Sequence, residues 1–118
     1  MNIIPSSFNE HQINRTTLGG MENHSPEALN ISVIILSSEE THFKSQTFEN
    51  LLNCNFHQII CIEKDTQNFA IYDINKKFPQ VKFILPQEES TDGELINIAM
   101  AEVQSDYVLV LRDSLYIP

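Results

Sequence analysis

Three short charged clusters carry side chains that could do chemistry: Glu63-Lys64-Asp65, Thr91-Asp92-Gly93-Glu94 and Arg112-Asp113-Ser114, preceded by the polar run Ser37-Ser38-Glu39. Carboxylates in such runs hold hard divalent cations or accept hydrogen bonds. Lys64 and Arg112 can instead take a phosphate directly, without metal. Asp92-Gly93 reads as a helix start, a place where free backbone N–H groups attract an anion. Glu63, Lys64, Asp65 and Arg112 fit equally well as ordinary charges on solvated loops, and that reading stands beside the others. The sequence shows no Ser-His-Asp or Cys-His arrangement and no Gly-rich phosphate loop. His42 and His57 stand apart from each other and from any nucleophile, and read as surface or half-buried. Cys54 and Cys61 match no zinc spacing; both read as buried, reduced thiols of a cytoplasmic protein.

Four apolar runs must position these clusters. Ile31-Ser32-Val33-Ile34-Ile35-Leu36, Ile59-Ile60-Cys61-Ile62, Val81-Lys82-Phe83-Ile84-Leu85 and Tyr107-Val108-Leu109-Val110-Leu111 are short and rich in β-branched residues. The first fits a strand buried on both faces, the second a further buried strand, and the third and fourth read as strands as well. Between them lie helical patterns. Residues 41–53 carry Phe43, Thr47, Phe48, Leu51 and Leu52 on one stripe, and 67–78 carry Phe69, Ile71, Tyr72, Ile74 and Phe78, ended by Pro79. Thr91 and Glu94 form a capping box that opens a third helix, expected to run to about Gln104 with Leu95, Ile96, Ala99, Met100 and Val103 inward.

The order is β-α-β-α-β-α-β, which predicts a parallel, Rossmann-like sheet in a three-layer αβα arrangement. Ligands of such sheets bind beyond the carboxyl ends of the strands. That places Ser37–Thr41, Glu63–Gln67, Pro86–Gly93 and Arg112–Pro118 around one crevice. Residues 1–30 differ: Ser, Asn, Thr, His and Gly dominate without periodicity, and a flexible N-terminal arm is expected. Met21 is a candidate for an alternative translation start. Ile3-Ile4-Pro5 is the arm's one short apolar piece.

The chain has 118 residues, enough for one domain, and 42% of them are hydrophobic, enough for a packed core. A net charge of −9 argues against nucleic acid or an anionic membrane surface as partner, since both need a basic face. No apolar run approaches the roughly 20 residues of a membrane span. The start of the chain lacks the basic and apolar stretches of a signal peptide.

Residues 31–118 resemble the nucleotide-sugar-binding half of a GT-A, family 2 glycosyltransferase. Ser32-Val33-Ile34-Ile35-Leu36-Ser37-Ser38-Glu39 stands where the family has SVIIPTYN, and Thr47-Phe48-Glu49-Asn50-Leu51-Leu52 where it has TLESLL. Ile62-Glu63-Lys64-Asp65-Thr66 is similar to VDDGS. Asn97, Ala99 and Tyr107 match the third helix and fourth strand, and Arg112-Asp113-Ser114, with Pro118 after it, takes the place of the DxD motif. The resemblance implies strand order 3-2-1-4 and a nucleotide-diphosphate-sugar site formed by Ser37, Ser38, Glu39, Glu63, Lys64, Asp65, Asp92, Gly93, Arg112, Asp113 and Ser114.

The resemblance also implies where the chemistry fails. The family uses magnesium or manganese held by both DxD carboxylates, but Arg112 and Ser114 replace them and Asp113 alone is acidic. No metal cofactor is therefore expected. Glu63 keeps a carboxylate for a pyrimidine imide, whereas Lys64 has no acceptor. No residue is assigned as catalytic base, and the acceptor-binding half of the family is absent from these residues. The expectation is a fragment or a degenerate, inactive domain with weak nucleotide-sugar binding. The alternative is an interaction module. Strand 107–111 is an outer strand without Pro or Lys, so a homodimer through it is expected unless the arm covers it.

Overall fold

The computed structural model describes residues 15–37, 41–64 and 70–112. Among the described residues, five strands form one sheet in the order β1-β4-β3-β2-β5. They are β1 (Arg15–Gly19), β2 (Leu29–Ser37), β3 (Phe56–Glu63), β4 (Lys82–Pro86) and β5 (Tyr107–Arg112). Helices α1 (Thr41–Leu52), α2 (Ala70–Lys77) and α3 (Asp92–Met100) connect β2 to β5 in sequence. The pairs β2–β3, β2–β5 and β3–β4 are parallel.

Alternation along the strands separates two cores. Val33 and Ile35 face α1 and α2 with Phe48, Leu51, Ile71, Ile74 and Phe78; Ile34 and Leu36 face α3 with Leu95 and Ala99. A strand covered on both faces has no solvent side, so every position of the Val33–Leu36 run is apolar. Phe48 ties the first core together. Its ring meets Phe78 and Phe83 edge-on, with centroids 5.4 Å apart in each case. Such T-shaped pairs favour the contact of positive ring edge with negative face.

The four strands read from the sequence keep their relative order, here β4-β3-β2-β5, but the complete order differs because a fifth strand precedes them. Arg15–Gly19, within the segment expected to be a flexible arm, pairs antiparallel with β4, from Arg15 opposite Pro86 to Gly19 opposite Lys82. The sheet is mixed, not wholly parallel. β1 shields the outer edge of β4, while β5 forms the other edge, so this part of the arm does not cover 107–111. Ile3-Ile4-Pro5 lies outside the described residues, as do Phe69 and the side chains of His42 and Phe43.

Three smaller expectations need correction. The capping box is present: the Glu94 N–H donates to Thr91 Oγ1 at 3.2 Å and the Thr91 N–H to Glu94 Oε1 at 2.8 Å. Yet α3 stops at Met100, and Met100 is exposed. Beyond it, Lys82 Nζ holds Glu102 at 2.9 Å, and the Gln104 N–H, which a continuing helix would engage, donates to Gln58 Oε1 at 2.8 Å. Tyr72 is exposed because the buried stripe of α2 runs through Ile71, Ile74 and Phe78, to which Tyr72 is off-register. Cys61 is buried, but Cys54 is exposed in the turn after α1.

Gly19 ends β1 with φ +66°, a backbone region unfavourable to other residues. A Cβ there would stand 2.8 Å from the Val81 carbonyl oxygen and 2.5 Å from Asn75 Nδ2. Gly19→Ala is expected to lower the unfolding free energy by about 1–3 kcal/mol, read from urea denaturation. Amide exchange along β4 should accelerate with it; unchanged exchange and stability would show that β1 does not clamp this edge.

Candidate functional site

The parallel strands deliver their carboxyl ends to one rim. Ser37 ends β2, Glu63 ends β3 and Arg112 ends β5. Ser37 lies opposite Glu63, and Leu36 opposite Arg112. The chain builds β2, β3 and β4 outward on one side, then crosses through α3 to β5 on the other side of β2. The crevice between outgoing connections at such a reversal is where open α/β sheets bind ligands. Asp92, first residue of α3, is carried to the same rim because α3 starts after the carboxyl end of β4.

Two layers of polar contact form there. Below, Glu63 is 1% exposed and accepts a hydrogen bond from Ser37 Oγ at 3.1 Å. The Lys64 N–H donates to the Ser37 carbonyl at 2.8 Å, pinning the start of the loop after β3. Above, Lys64 Nζ stands 2.9 Å from Asp92 Oδ1, and Arg112 Nη1 stands 2.8 Å from Asp92 Oδ2. One carboxylate is shared by two cations from different elements. The ion cluster is open to water, with the Lys64 and Arg112 side chains 55% and 58% exposed.

The hydrogen bond from Lys64, and then that from Arg112, hold the Asp92 carboxyl below the usual aspartate range. The carboxyl of Glu94, in the same first turn, is lowered by the Thr91 backbone and side-chain bonds of the capping box. Gly93 sits in the first turn of α3, where a Cβ would meet only Thr91 Oγ1 at 3.9 Å; sterically, the position does not require glycine.

Of the residues read as a site, Ser37, Glu63, Lys64, Asp92, Gly93 and Arg112 are brought to this rim. Ser38, Glu39, Asp65, Asp113 and Ser114 lie outside the described residues. Glu63 is placed beneath the rim, bound to Ser37, and not on its surface. Asp92 is more than a helix start: it is the common partner of Lys64 and Arg112, 28 and 20 residues away in sequence. No local pattern announces such a meeting.

A second polar locus was not legible. His57, half-buried as read from the sequence, lies beside His24 with ring centroids 5.8 Å apart, and Glu22 stands 3.5 Å from Nε2 of each. They line a cleft of about 380 Å³ between the segment after β1, the end of α1 and the start of β3. That cleft opens at the amino ends of the strands, away from the Asp92 cluster. Among the described residues, no group of three or more His, Cys, Asp or Glu side chains is arranged to hold a metal ion. No helix among them is long and apolar enough to cross a membrane.

Comparison of the chain with protein-family models, curated proteins and solved structures finds no match.

Because the Asp92 carboxyl is lowered in the folded state, its ion cluster favours folding above the ordinary aspartate value of about 3.9. That contribution is lost as pH falls through the lower folded value. Carboxyl NMR titration should place Asp92 below ordinary aspartate and show it rising in Lys64→Met and in Arg112→Met. An Asp92 that titrates normally in the parent chain would mean that the cluster does not persist in solution.

Proposed function

We propose that residues 31–118 are a family 2 glycosyltransferase-like, GT-A-type domain that binds a nucleotide diphosphate sugar at the carboxyl rim without metal. The reading is carried by one observation: Lys64 and Arg112 converge on Asp92 at the sheet's reversal point. A diphosphate brings more negative charge and more acceptor oxygens than one carboxylate, and a guanidinium fork suits phosphate geometry. In this reading the ligand displaces Asp92 and takes over both cations. Glu63 acts as a positioning residue that sets Ser37 and, through it, the Lys64 backbone.

The described residues of the rim do not suit the magnesium or manganese ion the family uses. A hard divalent cation needs several oxygen ligands. Here the Asp92 carboxylate is already engaged by two positive groups, whose charges oppose a third cation. The expected role is donor binding, with no side chain assigned to catalysis.

A second reading rests on a different feature. On the edge strand β5, Tyr107, Leu109 and Val110 are 68%, 41% and 42% exposed. Natural edges are usually blunted by charge, proline or bulges. An interaction module that docks through β5 accounts for this exposure and predicts no response to nucleotide sugars.

Thermal unfolding with inorganic pyrophosphate and with a pyrimidine nucleotide diphosphate sugar separates the two. A tenfold excess of ligand over Kd stabilises a single-site binder by about 1.4 kcal/mol. Both ligands are expected to stabilise the chain equally with and without manganese. Asp92→Asn should tighten binding several-fold by freeing the cations, and the double variant Lys64→Met/Arg112→Met should abolish it. No stabilisation at millimolar ligand, or stabilisation only with manganese, would overturn the reading.

A further inference from the structure

Building on the reading of β5 as a docking edge, we propose that its occupant is a second copy of the same strand, antiparallel about a two-fold axis through Leu109. Strand pairing requires that directly opposed residues point to the same face. In β5, Val108 joins the core on the α3 side and Leu111 the core on the opposite side. By alternation within the strand, Tyr107, Leu109 and Leu111 share one face, and Val108, Val110 and Arg112 the other; Asp106 lies in the bend just before the strand. A two-fold axis perpendicular to the sheet must therefore pass through a residue, never between two.

Three centres keep most of the strand paired. Centred on Val108, Asp106 lies opposite the partner's Val110, and centred on Val110, Arg112 lies opposite the partner's Val108. Both leave a charge against an apolar side chain. Centred on Leu109, Tyr107 meets the partner's Leu111, Val108 meets the partner's Val110, and Asp106 meets the partner's Arg112. Every apolar residue then faces an apolar one, and both ends of the seam carry opposite charges. Cross-strand pairs of these kinds each favour association, and like charges oppose it.

The groups needed are accessible. Asp106 is exposed, with Asn30 Nδ2 donating to its Oδ2 at 2.8 Å, which leaves its other carboxylate oxygen for the seam. Arg112 gives one of its five N–H groups to Asp92 and is 58% exposed. Joining the β5 edges makes one continuous ten-stranded sheet across two chains, with β1 at both outer ends. Both β5 edges, unpaired among the described residues, are covered in a single closed contact, the commonest symmetry of homo-oligomers.

Light scattering of the full chain over a concentration series tests this, with circular dichroism to confirm folding of each variant. A mass of two chains is expected, reduced to one by Leu109→Lys, which sets two ammonium groups face to face at the axis. Asp106→Arg and Arg112→Asp should each weaken association about tenfold, by placing like charges opposite at both ends. The combined variant should restore it. Each single change also loses a bond within its own chain, to Asn30 or Asp92, which the combination does not repair, so restoration reports the seam alone. A dimer lost in Leu109→Lys but with no restoration in the charge swap overturns the register and leaves the docking edge standing. A chain that stays monomeric, with β5 edge amides open to exchange, overturns both.

Discussion

Parallel neighbours can be joined only by a crossover, and the whole molecule follows from where those crossovers turn around. β2 is the strand at which they do. It is paired on both edges, by β3 and β5, and covered on both faces, by α1 and α2 on one side and α3 on the other. Its side chains at Val33, Ile34, Ile35 and Leu36 must therefore all be apolar, and none can be exchanged for a polar one without leaving a buried group unpaired. Because the chain leaves β2 outward to β3 and β4 and returns to β5 on the far side, the connections splay apart above its carboxyl end. Charged residues gather there because that is where the sheet leaves backbone and side chains uncovered by either helix layer.

The amino end of β2 is held in a different way. Ser32 is fully buried, and its hydroxyl donates to Gln58 Oε1 at 2.8 Å and lies 2.6 Å from Ser105 Oγ. Gln58 Oε1 also accepts from the Gln104 N–H. One amide oxygen thus joins β2, β3 and the segment that leads from α3 into β5. Buried polar groups must be satisfied, and a group satisfied from three elements fixes their relative position. The register of β5 is set here, at the far end from Arg112. The coupling is mechanical: where Gln58 fixes the start of β5, regular strand geometry delivers Arg112 to Leu36 five residues later, within reach of Asp92.

What was legible in the sequence follows the range of the forces involved. The four short apolar runs and the Thr91–Glu94 box are local patterns, and all five are found where they were read. β1 was missed because Arg-Thr-Thr-Leu-Gly offers a single large apolar side chain; its strand character comes from β4, some sixty-seven residues downstream at the Thr17–Ile84 pair. Tyr72 and Cys54 were assigned to the interior by residue type, but their positions on α2 and after α1 point outward. The rim was legible as a location, since strand ends define it, and only partly as an arrangement. Glu63, Lys64 and Arg112 were singled out, but that Asp92 binds both cations, while Glu63 sinks beneath them to Ser37, depends on side chains brought together by the completed sheet.

Charge sets the terms for both surfaces that remain open. The chain carries sixteen acidic residues against seven Lys and Arg, so a distant anion meets a repulsive field. At physiological ionic strength that field is screened beyond about 8 Å, whereas groups in contact are screened little. An anion is then governed by what it touches, and at the rim it would touch Lys64 and Arg112. The same reasoning applies to two copies of the chain. Each brings a net charge of −9, an opposition that apolar contact along β5 must overcome. A seam whose only charges were carboxylates would add to that repulsion at close range. The proposed seam would end in Asp106 on one side and Arg112 on the other, so that its near-range electrostatics would favour what the net charge disfavours. Arg112 is common to both surfaces. Its guanidinium gives one hydrogen bond to Asp92 and has further N–H donors beyond that one.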